Sequence, residues 1–359
     1  MKRPHVNAIR VLVVDDAAVV RRQVSLLLES DPGLEVVATA ANGRIALAKV
    51  EQFQPDVVLL DLEMPELDGL ETLKLLRQRM PELPVVMFSA LTERAGVLTL
   101  EALALGARDY VTKPTSSGGM NVTVEAVRDE LVRKLKALPV RNTCAGPGPA
   151  LMPRLHPPRP QGPARVEIIV IGASTGGPGA LVRVVSALPA DLSVPVLIVQ
   201  HMPPLFTRLL AERLEGVSKL RVREAVSGDL VRPGSVWVAP GDFHLALSSD
   251  ATGVRILTHQ GPPENACRPA VDVLFRSAVE VYGAGVLAVV LTGMGQDGLR
   301  GCRRVDEAGG QVVVQDQATC VIGGMPGAVE QAGLADGVLP LDAVAAELVR
   351  RVEARGRRV

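Results

Sequence analysis

The chain is nearly devoid of aromatic residues: Phe, Tyr and Trp together make up 2% of its 359 positions. Its cores must therefore be built from Val, Leu, Ile and Ala, within an apolar content of 47%. An excess of one charge is also missing, because 39 basic residues are cancelled by 39 acidic ones. A nucleic-acid binder carries a basic surplus, so that class loses ground at once. Long apolar runs are absent too. The stretch from Gly285 to Leu291 is among the longest and falls far short of the ~20 residues a bilayer crossing needs. The opening MKRPHVNAIRVLVVDD has no apolar stretch followed by a small-residue cleavage site, so no secretory signal is expected. The four cysteines, Cys144, Cys267, Cys302 and Cys320, form no C-x-x-C pair. They read as reduced thiols of a cytoplasmic protein without direct membrane insertion, and not as a metal cage.

What is present suggests two α/β domains, on a prior of ~150 residues per domain. The segment Pro139–Arg165 has eight prolines, three glycines, four arginines and no acid. Such a stretch buries too little apolar surface to offset its ordering entropy, so it is read as a semi-extended linker. Before it, Val124, Val127, Leu131, Leu135 and Leu138 recur at helical spacing and close the first domain. The predicted division is residues 1–138, linker 139–165, and 166–359. The terminal RGRR reads as a solvated tail.

In the first domain, strands are expected at Arg10–Val14, Val36–Ala38, Val57–Leu60, Val85–Phe88 and Asp109–Val111, alternating with helices. That alternation predicts a five-stranded parallel, doubly wound sheet, flavodoxin-like in style. Asp15 and Asp16 follow the first strand and Asp61 follows the third. Ligands of open parallel sheets collect at the carboxyl ends of strands, and three carboxylates there suit a hard cation such as Mg²⁺. Ser89 ends the fourth strand and Lys113 the fifth; a hydroxyl and an ammonium beside a carboxylate are what a phosphoryl group needs. A single Asp in such a place is more often a helix N-cap, but five residues at strand ends argue for a site.

The stretches VLVVDD, VVLLDLEMPELDGLE, FSALTERAG and GARDYVTKP resemble the receiver domain of bacterial two-component response regulators over residues 8–138. The resemblance implies that Asp61 accepts a phosphoryl group, that Asp15, Asp16 and Asp61 hold Mg²⁺, and that Ser89 and Lys113 form the switch, with Tyr110 at its aromatic position. Ala17 departs from the Ser common after the paired acids.

The second domain repeats the style, with continuous apolar runs at Ile168–Ile171, Val196–Val199 and Val286–Leu291 that read as strands buried on both faces of a doubly wound sheet. Ser235–Ala239 and His244–Leu247 read as a hairpin-rich insert. After the first strand comes Gly172-Ala173-Ser174-Thr175-Gly176-Gly177. As a dinucleotide fingerprint it has Ser174 where the middle glycine belongs; as G-x-S-x-G it is a nucleophile elbow. Either pattern alone is weak. The next strand runs into His201, one βαβ unit after Ser174, and the third leads into Thr292-Gly293-Met294-Gly295-Gln296-Asp297. A lone His or Asp in such a place is often structural. Three strand ends offering Ser, His and Asp together point to a serine hydrolase: Ser174 as nucleophile, His201 as general base, and Asp297 as the group that orients the imidazole. Backbone N–H groups of Thr175 and Gly176 at a helix N-terminus suit an oxyanion.

Further stretches, IGASTGGPGAL, VQHMPPLFTRLLAERL, GSVWVAPGDFHL, RPAVDVLFRSA, LTGMGQDGLRG and AGGQVVVQDQATCVIGGMPGAV, resemble the catalytic domain of chemotaxis protein-glutamate methylesterases, the CheB family. The resemblance implies the Ser174–His201–Asp297 triad, Met294 N–H as a further oxyanion donor, and no cofactor in this domain. It also implies a γ-glutamyl methyl ester substrate on methyl-accepting chemoreceptors, glutamine deamidation in many members, and a chemotaxis histidine kinase as phosphodonor. Ala270 stands where Ser is usual and Gln296 where Asn is commoner. Two rivals remain at this stage. A non-enzymatic adaptor would not need Ser174, and a DNA-binding regulator is disfavoured by 20 acids against 18 bases from residue 166 onward.

Overall fold

The computed structural model describes residues 8–114, 123–138 and 164–354. The expected linker lies outside these residues except for Ala164 and Arg165, as does the RGRR tail. The chain forms two compact units divided between Gly148 and Pro149.

The first unit runs β1 (Ile9–Val14), α1 (Ala18–Glu29), β2 (Leu34–Ala40), α2 (Gly43–Phe53), β3 (Val57–Asp61), α3 (Gly69–Arg79), β4 (Val85–Ser89), α4 (Glu93–Ala104), β5 (Asp109–Thr112) and α5 (Val124–Ala137). All five strands are parallel, in the order β2-β1-β3-β4-β5. β3 and β4 are buried at every position, as helices on both faces require. The helical stripe expected before the linker is α5, whose Val127, Leu131 and Leu135 are buried. Side chains cap four of these helices: Asn42, Asp68, Thr92 and Thr123 each accept a first-turn N–H.

The second unit runs β6 (Ile168–Ala173), α6 (Gly177–Ala187), β7 (Val196–Gln200), α7 (Pro204–Val217), β8 (Arg221–Glu224), β9 (Ser235–Val238), β10 (His244–Asp250), β11 (Gly253–His259), α8 (Val271–Tyr282), β12 (Val286–Val290), α9 (Leu299–Glu307), β13 (Gln311–Gln315), α10 (Gly324–Gln331), β14 (Gly337–Leu339) and α11 (Leu341–Glu353). Seven strands form one parallel sheet, β14-β13-β12-β6-β7-β9-β8, and β10 and β11 form an antiparallel hairpin. One expectation is corrected here. Ser235–Val238 does not belong to a hairpin insert but pairs in parallel with β7 and β8. Its partner β8, Arg-Val-Arg-Glu, is an edge strand with alternating exposed residues, so no apolar run marks it.

The strand orders locate the sites. In the first unit the order reverses between β1 and β3; in the second, β12 lies beside β6 while β7 continues on the other side. A doubly wound sheet opens its ligand crevice at such a reversal, outside the carboxyl ends of the strands. Gly172, inside β6, lets α8 approach closely: a Cβ there would come within 2.7 Å of Val271 Cγ2.

Candidate active site

The second unit brings His201 and Asp297 together. His201 follows β7, and its Nε2 lies 2.8 Å from Asp297 Oδ2. Asp297 is 2% exposed, yet its carboxylate is fully employed. Oδ2 also accepts the Val271 N–H at 2.7 Å. Oδ1 accepts from Asn265 Nδ2 at 2.8 Å, Gly298 N at 3.0 Å and Asp272 N at 3.1 Å. Val271 and Asp272 open α8, whose N-cap Ala270 has no side-chain hydrogen bond. Asp297 therefore serves the positive end of α8 from a distant loop, and the absence of Ser at 270 leaves no helix end uncapped. Burial pushes the Asp297 carboxyl up, but the hydrogen bonds from His201, Val271 and Asp272 prevail and hold it below its ordinary value. Burial alone would lower His201; its hydrogen bonds to Asp297 and Cys267 outweigh that and raise it to about 9.

Ser174 stands at the end of β6, one residue past the Ala173↔Gln200 pairing that aligns β6 with β7. Its N–H donates to Thr292 O at 3.0 Å, and its carbonyl accepts from Gly177 N at 2.8 Å and from Gln200 Nε2 at 2.9 Å. This is a tight strand-to-helix turn. Gly176 closes it with φ +79°, where a Cβ would meet Val321 Cβ at 2.6 Å. No side chain caps α6. The structure joins His201 to Asp297 but makes no hydrogen bond between Ser174 Oγ and His201 among the described residues. His201 Nδ1 instead faces Cys267 Sγ at 3.6 Å. Met294 is half-buried, two residues beyond Thr292, whose Oγ1 donates to Thr175 O at 2.9 Å. Gln296 is exposed, and its side chain makes no hydrogen bond among the described residues.

Sequence reasoning missed three residues: Gln200, Asn265 and Cys267. Gln200 directly precedes His201, and its place at the end of an apolar run was its only signal in the sequence. Asn265 and Cys267 come from a tight turn in which Asn265 and Ala266 have φ of +51° and +60° and Glu264 and Cys267 exchange backbone hydrogen bonds. The Asn at a left-handed position was the legible sign of that turn. Its long reach to Asp297 was not.

In the first unit the carboxylates of Asp15, Asp16 and Asp61 lie within 4.8 Å of one another. Asp15 and Asp61 are buried and Asp16 is exposed. Lys113 Nζ lies 2.7 Å from Asp15 Oδ2 and 2.9 Å from Asp61 Oδ2. Burial raises the Asp61 carboxyl above its ordinary value despite Lys113. Burial would lower Lys113, but its two carboxylate partners more than offset that. An all-oxygen, triply acidic set matches the hard-cation preference of Mg²⁺. Ser89 is placed differently from Lys113. Its Oγ is fully buried, accepts from Thr99 Oγ1 at 2.8 Å and makes no hydrogen bond to Asp61 among the described residues. Tyr110 is buried, with Lys134 Nζ 5.0 Å from its ring centroid.

Comparison with known proteins identifies the family of both units. The family model for CheB methylesterase matches residues 169–348, and that for the response regulator receiver domain matches 11–125. A protein-glutamate methylesterase/protein-glutamine glutaminase of Trichodesmium erythraeum is 50% identical over 348 residues, covering 96% of this chain and 99% of its own. One from a Nocardioides species is 52% identical over 350 residues, covering 96% and 95%. The crystal structure of the Thermotoga maritima CheB methylesterase catalytic domain is 44% identical, covers 52% of this chain and 99% of its own, and superposes with a TM-score of 0.51. A receiver domain followed by this catalytic fold, over nearly the full length of such relatives, means that the chain belongs to the CheB methylesterase family.

Proposed function

We propose that the chain is a cytoplasmic, phosphorylation-regulated serine hydrolase that removes methyl groups from glutamate γ-methyl esters of methyl-accepting chemoreceptors. Residues 1–138 act as the receiver, 139–165 as the linker and 166–359 as the esterase. The observation that carries this reading is the His201–Asp297 pair at the carboxyl ends of the strands, with Ser174 presented at the neighbouring strand end. Among the described residues no helix is long and apolar enough to cross a membrane.

The chemistry follows from which ring nitrogen is free. In the neutral ring, an Nε2–H donating to the Asp297 carboxylate 2.8 Å away leaves the lone pair on Nδ1, which is then the base. Ser174 Oγ attacks the ester carbonyl while Nδ1 takes its proton. Asp297, ionised and fully hydrogen-bonded, stabilises the imidazolium that forms. Backbone N–H groups of Thr175, Gly176 and Met294 receive the oxyanion. The imidazolium returns its proton to methanol as that leaves, and water then releases the glutamate by the same steps in reverse order. A glutamine side chain would follow the same course with ammonia leaving, consistent with the paired activities in the relatives' names. For Ser174 to use Nδ1, the Cys267 thiol must give way, since it now faces that nitrogen.

In the receiver, a chemotaxis histidine kinase supplies the phosphoryl group to Asp61. Asp15, Asp16 and Asp61 would hold Mg²⁺, whose charge offsets that of the incoming group. Lys113, bridging Asp15 and Asp61, supplies the second positive charge, and Ser89 and Tyr110 complete the switch. The test is methanol release from methylated receptor membranes, with and without a small acyl-phosphate donor. Release that requires Ser174 and rises with the donor is expected. Equal release by folded Ser174→Ala protein would remove the serine mechanism.

A further inference from the structure

The second unit holds a pocket of about 360 Å³ that the hydrolytic chemistry does not use. It lies against β8, β9, the loop between them and Arg255 of β11, and none of its lining residues belongs to the triad. Its walls include Arg221, Arg223, Arg232 and Arg255, with Asp229 as the one carboxylate among the lining residues. Arg221 pairs in register with Ser235, and Arg223 with Trp237. Strand side chains alternate between faces, so Arg221, Arg223 and Trp237 share one face while Val222 is buried against the other.

Two features of the walls point to an anion. The first is charge left uncompensated. Arg255 is held by Gly228 O at 2.8 Å and Thr252 Oγ1 at 3.0 Å and pairs with Asp250 at 3.6 Å, but Arg221, Arg223 and Arg232 are exposed and make no ion pair among the described residues. Three unpaired guanidinium groups around a single lining carboxylate leave an excess of positive charge that an anion would offset, and the guanidinium fork matches phosphoryl oxygens two at a time. The second is a donor without an acceptor. Trp237 is 7% exposed, and its indole N–H is buried with no hydrogen-bond partner. Buried donors are normally satisfied, and Trp237 is among the lining residues, so an anion oxygen reaching the ring edge would serve.

The same features narrow the ligand. Trp237 is buried and so offers no exposed ring on which a nucleobase could stack. Recognition therefore falls on the anionic groups themselves. The pocket volume lies at the lower end of the range for small-molecule sites, enough for more than one such group. We propose that this pocket binds a small molecule through two or more phosphoryl groups, with Arg221, Arg223 and Arg232 as their principal partners.

Trp237 is the only tryptophan of the chain, so intrinsic fluorescence reports directly on the pocket. The full-length protein would be titrated with inorganic tripolyphosphate at constant ionic strength. A saturable change in emission is expected, weakened at least tenfold in the Arg221→Ala/Arg223→Ala double variant, whose methyl ester hydrolysis should stay at the wild-type rate. Arg232→Ala, in the loop before β9, gives the same readout without altering a strand. The proposal is overturned if the emission change is not saturable, if the variants bind as tightly as the wild type, or if chloride produces the same change. Citrate binding as tightly as tripolyphosphate would overturn the phosphoryl assignment.

Discussion

At the scale of single residues, His201 governs what can be measured. A base raised to about 9 is mostly protonated at neutral pH, well above the ordinary imidazole near 6.5. Esterase kcat/KM should therefore climb through the alkaline range with a midpoint near 9; a midpoint near 6.5 would mean the base is not this histidine. The same shift links to stability. A raised folded pKa contributes stability that is fully present below pH ~6.5 and lost as pH rises through about 9, so denaturant midpoints of the second unit should fall between these values, and less so in His201→Gln. His201→Gln itself should cost about 10²–10⁴-fold in rate. Ser174→Ala and Asp297→Ala should also be severe, and double variants little worse than single ones, because such groups act as a unit. Cys267 makes a separate prediction. Its thiol is partly exposed and faces the base, so iodoacetamide should inactivate the wild type but spare Cys267→Ala. That variant should remain active, with its alkaline midpoint moved downward, because Cys267 is one cause of the raised value.

Single secondary elements explain what could be read in advance and what could not. β3, β4, β6, β7 and β12 were legible because each is an apolar run buried at every position, whereas β2, half-buried along most of its length, was read only at its Val36–Ala38 centre. The placement of Ser174, His201 and Asp297 followed from the carboxyl ends of those strands. β8 was not legible: an edge strand has one wet face, and Arg221 and Arg223 lie on it. β13 is flanked by Gln311 and Gln315, whose side chains serve backbone groups at Ala164, Thr292 and Thr319, so its polar ends hid an apolar centre. The turn at Glu264–Cys267 was only half legible, through Asn265, for another reason. It holds Ala266 at φ +60°, a left-handed conformation that costs a non-glycine residue ~1–2 kcal/mol. Ala266→Gly should therefore raise the stability of the catalytic unit by about 1 kcal/mol, seen as a higher denaturant midpoint at unchanged slope. A lower midpoint would mean that the rigidity of this turn matters more than its strain.

On the scale of the whole molecule, the two units carry separable chemistry. Mg²⁺ with a small acyl-phosphate should label the wild type and not Asp61→Asn; label persisting in that variant would place the phosphoacceptor elsewhere. A fragment of residues 165–359 should hydrolyse methyl esters faster than the unphosphorylated full-length chain if the receiver restrains it. Equal rates would rule out that restraint and leave control to a gain of receptor binding or to an allosteric improvement of the triad. The placement of β12 beside β6 has a further consequence, in time. Val286 pairs with Ile168, more than a hundred residues earlier, whereas the receiver joins β1 to β3 between Val11 and Val57. At translation rates of about 5–20 residues per second, the receiver sheet can close early. The growing chain must then carry β6 with one apolar edge unpaired for roughly 6–25 s before β12 emerges. Ser174 is thus synthesised well before the strand that delivers Asp297, and the nascent esterase is both inactive and at its most aggregation-prone in that interval.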